Sequence, residues 1–202
     1  MARRFTLPKL VVATHNRGKA GEIRGMLGRF GVEVVSAADL GLPSPPETGT
    51  TFEQNAIIKA LAAARASGLP ALADDSGLCV RALDGAPGVQ SARYAGEPRS
   101  DARNNAKLVA ALAGVGDRRA HYTCVLALLR SADDPEPIVA EGRWHGTIVD
   151  APRGSGGFGY DPHFLDASTG MTGAELPLDR KNEISHRGRA IRALIARLTD
   201  ES

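Results

Sequence analysis

Apolar and polar positions alternate along this chain in blocks that read as strands and helices in turn. The run Leu10-Val11-Val12-Ala13 predicts a buried strand over about Lys9 to Thr14. A helical period follows from Arg17 to Phe30, with Ile23, Met26, Leu27 and Phe30 on one face and Gly31 beyond it. Val32-Glu33-Val34-Val35 reads as a short strand, and Gly41-Leu42-Pro43-Ser44-Pro45-Pro46 as a stiff loop leading to Glu47-Thr48-Gly49. Thr51-Phe52-Glu53-Gln54 has the form of a capping box that opens an Ala-rich helix, which closes at Ser67-Gly68 before Pro70. Ala71-Leu72-Ala73 then runs into Asp74-Asp75-Ser76-Gly77. Leu78 to Leu83 reads as a further strand and Gly85-Ala86-Pro87-Gly88 as a turn. Ser100 can cap a helix to about Ala113.

The second half changes character. Ala120 to Leu129 and Ile138 to Val149 are long β-like runs separated by Ser131-Ala132-Asp133-Asp134-Pro135, which predicts an antiparallel hairpin. A Gly-rich stretch follows, and an amphipathic helix runs from about Ile184 to Leu198. No repeat, low-complexity segment or flexible linker interrupts residues 1–202. The expectation is a single domain of mixed α/β class, with two lobes and a cleft that polar loops can line.

Composition narrows the function classes. The 202 residues carry 25 Lys and Arg against 23 Asp and Glu, a net charge of +2, which gives no reason to expect nucleic acid as a partner. Cys79 and Cys124 are far apart and show no metal spacing, so they read as buried thiols of a reducing compartment. Met1-Ala2-Arg3-Arg4 resembles the start of a signal peptide, but Pro8 and Lys9 interrupt any apolar region behind it. No run approaches the length of a membrane span. These features predict a soluble, cytoplasmic protein with no membrane partner.

Chemistry is concentrated in four polar clusters at the ends of the predicted elements. Thr14-His15-Asn16-Arg17-Gly18-Lys19 joins a buried strand to a helix N-terminus, where backbone N–H groups, the helix dipole and the Lys19 charge can hold an anion. It lacks the spacing of a P-loop. Asp74-Asp75-Ser76-Gly77 places two carboxylates after a strand. One of them can hold Mg2+ or accept a proton from water, or either can cap the amides of an Asp-Ser-Gly turn. Gly154-Ser155-Gly156-Gly157-Phe158-Gly159 matches G-x-G-x-x-G, but Tyr160-Asp161-Pro162 follows it where a Rossmann turn has a helix. Its glycines can let the backbone approach a ligand with Phe158 facing a base, or can form a flexible loop anchored by a buried Phe158. Ser185-His186-Arg187-Gly188 offers ring donors and a guanidinium fork, or a solvated helix end. The histidines have no zinc spacing, and no nucleophile elbow is present.

These clusters, in this order, resemble the inosine/xanthosine triphosphate pyrophosphatases. The resemblance runs from Leu10 to about Leu198. Besides the four clusters it rests on Glu47-Thr48-Gly49, on Phe52 with Asn55-Ala56 and Lys59, and on Gly85-Ala86-Pro87-Gly88 leading to Ser91-Ala92-Arg93-Tyr94. It implies an elongated α/β fold with a central cleft, a homodimer, and Mg2+-dependent hydrolysis of ITP, dITP and XTP to the nucleoside monophosphate and pyrophosphate. By the same resemblance, Thr14, His15, Asn16, Arg17, Gly18 and Lys19 form the triphosphate turn. Asp75 is the general base and a magnesium ligand, Glu47 is the other acidic metal position, and Ser76 touches substrate. Phe158, Gly159, Tyr160 and Asp161 enclose the base with His186 and Arg187, which read its 6-oxo edge. Lys181 is a further substrate contact.

The chain departs from the family pattern at His15, where Gly or Ser is usual, and at Pro46, where many members are acidic. It departs again in the spacing Phe52-Glu53-Gln54-Asn55. A base with a 6-amino group would leave donors aimed at a 6-oxo oxygen unpaired, which implies rejection of adenine nucleotides. A phosphotransferase and a non-catalytic nucleotide sensor are the competing classes. The first would not release free pyrophosphate, and the second has no use for the carboxylates of Glu47 and Asp75.

Overall fold

Strand β1 (Lys9–Val12) leads into helix α1 (Arg17–Gly28), with Asn16 as its N-cap accepting the Lys19 N–H at 3.0 Å. Strand β2 (Glu33–Ser36) follows, and then helix α2 (Phe52–Ser67), which ends at Gly68 in the left-handed conformation that glycine adopts without penalty. The remaining elements are β3 (Ala71–Val80), α3 (Asp101–Ala111), β4 (Arg119–Leu129), β5 (Ile138–Ile148), β6 (Phe164–Leu165), α4 (Leu178–Ile184) and α5 (His186–Asp200). This computed structural model describes residues 9–200, so the reading of Met1–Arg4 lies outside the described residues. Among the described residues no helix is long and apolar enough to cross a membrane.

The strands form one six-stranded mixed sheet in the order β2-β1-β3-β4-β5-β6. β1 runs parallel to β2 and to β3, and β5 runs antiparallel to β6. The short 130–137 connection between β4 and β5 is too short for a parallel crossover, as the hairpin expectation required. The class is therefore α/β.

Within the described residues the chain divides into two compact units. The first is built from the residues up to Asp75, Cys124–Gly142 and those from Arg187 onward. The second is built from Ser76–Thr123 and Arg143–His186. In the first, the two-residue period of the strands sends side chains to two separate cores. Leu10, Val12, Leu72 and Leu126 pack with Ile23, Met26 and Leu27 of α1 and with Ala190, Ile191 and Leu194 of α5. Val11, Ala71, Ala73 and Val125 pack with the alanines of α2. The second unit has its own core, in which Leu78, Val80, Leu108, Tyr122, Trp144 and Phe164 are buried together.

Four local expectations change. Asp74-Asp75-Ser76-Gly77 is not a turn; β3 runs through it without a break and ends at Val80, where a 3-10 turn (Arg81–Leu83) begins. Phe30 lies past the end of α1 and is 51% exposed, so the buried face of that helix stops at Leu27. The capping box is half formed. Thr51 Oγ1 accepts from Gln54 N at 3.2 Å, but Gln54 Oε1 accepts from Thr50 N at 2.8 Å instead of returning to the cap residue. The last helix, α5, is present as expected but starts at His186, because a separate short helix, α4, precedes it and ends at Ser185, which is extended (φ −70, ψ 163) and whose N–H closes α4 on Lys181 O at 2.9 Å. Cys79 and Cys124 are free thiols, and Cys124 is fully buried.

Candidate active site

The strand through Asp74 and Asp75 decides what each carboxylate meets. Asp74 shares the parity of Leu72 and points to the α1 and α5 side, while Asp75 shares the parity of Ala73 and points to the α2 side. On the first side Asp74 Oδ1 accepts from Lys19 Nζ at 2.6 Å, and Oδ2 accepts from Arg187 Nε at 2.8 Å and from Cys124 Sγ at 3.1 Å. Arg187 also pairs through Nη1 with Glu22. Two cations thus face two carboxylates in a buried group. Burial opposes ionisation of Asp74, but the Arg187 and Lys19 charges outweigh it and hold its carboxyl well below the usual range. Burial pushes the Cys124 thiol up, with the Asp74 charge adding to it.

On the α2 side Lys59 Nζ donates to Asp75 Oδ1 at 2.6 Å, to Glu47 Oε1 at 3.2 Å and to the Asp74 carbonyl at 2.8 Å. Glu47 is carried by a loop fastened to the start of α2, where Gly49 N donates to Asn55 Oδ1 at 2.8 Å. A Cβ at Gly49 would stand 2.7 Å from that same oxygen, so only glycine allows the approach. Asp75 Oδ2 is buried and has no hydrogen-bond partner among the described residues. Burial raises the Asp75 carboxyl above its ordinary value, and the Lys59 charge only partly offsets this.

The orphaned Asp75 oxygen and the nearby Glu47 carboxylate fit a divalent cation. Two hard carboxylate donors suit Mg2+, which completes its octahedron with phosphate oxygens and water. Among the described residues no group of three His, Cys, Asp or Glu side chains makes a closed protein cage.

At the start of α1 the Thr14–Lys19 turn is a tight structure. Thr14 Oγ1 accepts from Asn16 N at 3.1 Å, and His15 Nε2 donates to Leu42 O at 2.7 Å. The imidazole at the position where the family has Gly or Ser is therefore held by the Pro-rich loop. A cavity of about 480 Å³ opens at this turn, lined by Thr14, His15, Asn16, Arg17, Arg24 and Asp39 among others.

The second unit carries the remaining predicted residues. Asp161 is buried; its Oδ2 accepts from Phe158 N at 2.9 Å and from Lys181 Nζ at 2.6 Å. The same ammonium sits 4.8 Å from the centre of the Phe158 ring. Tyr160 OH donates to Ser91 O at 2.7 Å. His186, the first residue of α5, stacks on Tyr122 with ring centres 4.6 Å apart and planes inclined by 11°. Burial, with the Asp161 charge next to it, pushes the Tyr122 hydroxyl well up. The glycines before Phe158 serve the chain's own packing. A Cβ on Gly157, at φ +69, would meet Asp161 Oδ2 at 2.1 Å, and one on Gly154 would meet the Ala174 backbone at 2.4 Å.

Arg187, expected at the base, has 1% of its surface exposed and places two donors on Asp74 and Glu22, so in this structure its guanidinium is a buried partner of carboxylates. Sequence reasoning gave no role to Glu22 or Tyr122, named Lys59 only as part of a motif, and left Asp74 as either a candidate carboxylate or an amide cap. The signal for Lys59 was a lysine in the middle of an Ala-rich helix. Ser76 begins the second unit directly after Asp75 and is half-buried.

Residues 10–197 match the sequence profile of the Ham1 family. The dITP/XTP pyrophosphatase of Aromatoleum aromaticum is 57% identical over 191 residues, covering 95% of this chain and 96% of the relative. That of Ralstonia nicotianae is 55% identical over 193 residues, covering 94% and 96%. The solved structure of a Ham1 protein from Coxiella burnetii superposes with a TM-score of 0.86 at 44% identity, over 96% of this chain and all of that one. The Ham1 protein of Staphylococcus aureus gives 0.83 at 42% identity over the same shares. On its sequence and on its fold, this chain belongs to the Ham1 family.

Proposed function

We infer that this chain hydrolyses non-standard purine nucleoside triphosphates (ITP, dITP and XTP) to the monophosphate and pyrophosphate, and so keeps them out of nucleic acid. The observation that carries the chemistry is Asp75. One of its oxygens is fixed by Lys59 at 2.6 Å, and the other is buried, unpartnered and raised in proton affinity. A carboxylate in that condition is suited to take a proton from water.

Asp75 and Glu47 would hold Mg2+, which supplies charge neutralisation on the phosphate oxygens and the departing pyrophosphate. Asp75 orients a water and removes its proton. The water oxygen forms a bond to the α-phosphorus, and the bond from that phosphorus to the pyrophosphate oxygen breaks. Lys19, with the N-terminus of α1, holds the phosphate chain, and Asp74 holds Lys19. In the second unit Phe158 supplies a ring face for the base, Asp161 and Lys181 fix that ring, and His186 donates to the 6-oxo oxygen. Arg187 acts through Asp74 as a positioning residue.

The family resemblance supports a homodimer and a cytoplasmic setting. Incubation with dITP, XTP and ATP in Mg2+, with the products separated, tests the reading. Monophosphate and free pyrophosphate from the first two, with little from ATP, is the expected result. Release of orthophosphate, or phosphate transfer to another acceptor, would overturn it.

A further inference from the structure

Helix α3 carries no residue assigned so far, yet it grips the segment that holds Phe158. Asp101 and Asn105 are four residues apart and therefore share a face of the helix. Together they hold both ends of Gly159. Gly159 N donates to Asp101 Oδ2 at 2.8 Å, and Asn105 Nδ2 donates to Gly159 O at 2.8 Å. Gly159 has φ +64, with open space where a Cβ would stand. Glycine is needed there for the backbone conformation and not for a close approach.

The helix is itself anchored. Asn104 turns to the other side, donating through Nδ2 to Ala92 O at 3.1 Å and accepting from Ala95 N at 2.8 Å through Oδ1. Tyr160, next after Gly159, is tied to the same 91–95 stretch through Ser91 O. A run containing Gly154, Gly156, Gly157 and Gly159 has large backbone freedom when unrestrained. Two hydrogen bonds from one helix face remove that freedom at the residue following the ring.

We propose that Asp101 and Asn105 are positioning residues for the nucleobase. By clamping the Gly159 peptide they fix the backbone under Phe158, and so set how strongly the base is held. The proposal rests on the reading that Phe158–Asp161 enclose the base. Neither side chain is assigned a contact with substrate.

The test uses the full chain with Asn105→Ala, Asp101→Ala and Asp101→Asn. Two quantities are measured: amide hydrogen exchange over 157–160 without ligand, and the kinetics of dITP hydrolysis with tripolyphosphate as a base-free inhibitor. Both alanine variants should exchange faster over 157–160 and raise KM for dITP about 5- to 10-fold, with kcat within about 2-fold, the size expected for one lost hydrogen bond. The tripolyphosphate inhibition constant should stay at its wild-type value. Asp101→Asn keeps an acceptor for Gly159 N and should restore most of the affinity. Unchanged exchange would overturn the clamp. Faster exchange with an unchanged KM, or parallel losses for dITP and tripolyphosphate, would overturn its role in holding the base. If wild-type protein failed to hydrolyse dITP, the assigned function would fall, while the exchange measurement would still decide the clamp.

Discussion

The first unit builds its functional group from charge, and the second builds its group from rings and peptide groups. In the first, Lys19, Lys59 and Arg187 are set against Glu22, Glu47, Asp74 and Asp75 on the two sides of one strand. In the second, Tyr122, Trp144 and His186 are stacked with Phe164 set against them at an angle, and Asp161 holds Phe158 and Lys181 in place. Under the proposed function the difference corresponds to two chemistries of recognition. A polyphosphate is recognised by fixed cations that need carboxylates to orient them. A purine is recognised by a flat apolar surface with a few aimed donors. The comparison predicts that lesions in the first unit cost catalysis or folding, and that lesions in the second cost affinity for the base.

The largest effect should come from Asp75→Asn. It removes the base but leaves Lys59 its contacts with Glu47 and the Asp74 carbonyl. Turnover of dITP should fall about 10²- to 10⁴-fold with the melting temperature nearly unchanged. Near wild-type turnover in a quench-flow assay would remove Asp75 from the mechanism.

Arg187→Ala should be chiefly a folding lesion. It leaves the buried carboxylates of Glu22 and Asp74 without their shared cation, at a cost of about 3–5 kcal/mol in urea unfolding. A stable variant that lost only discrimination between dITP and dATP would return Arg187 to the base.

A smaller and diagnostic effect should follow Lys59→Met. The raised Asp75 carboxyl places the acid limb of kcat/KM above the ordinary aspartate value near 3.9. Lys59 favours the ionised form, so its removal should move that limb to higher pH, with about a 10- to 100-fold loss at neutral pH. A limb that stayed in place, or moved down, would separate Asp75 from the titration.

The mildest effect should be seen with Tyr122→Leu, which removes the ring stacked on His186. A loss of about 0.5–1.5 kcal/mol in dITP affinity is expected, with tripolyphosphate inhibition unaffected. A kcat loss as large as that of the charged group would erase the contrast between the units.

Much of this architecture was legible in the order of residues. The strand-turn-helix at Leu10–Lys19, the helix ending at Gly68, and the long β4 and β5 all follow from local period and capping. Tertiary contact overrode the local signal at Asp74-Asp75-Ser76-Gly77. These residues favour a turn in isolation, yet partners on α1, α2 and α5 draw two neighbouring carboxylates to opposite faces of a continuous strand. The same reason accounts for the partners of Arg187. A guanidinium one residue after a ring donor looks like a ligand group, and nothing local shows that Asp74 and Glu22, 113 and 165 positions away in the chain, lie beside it. Residue order determined which chemical groups the protein carries and the local element each sits on. Only the folded chain decided which charges neutralise one another and which oxygen is left for chemistry, because ion pairing and burial depend on distances that local sequence does not encode.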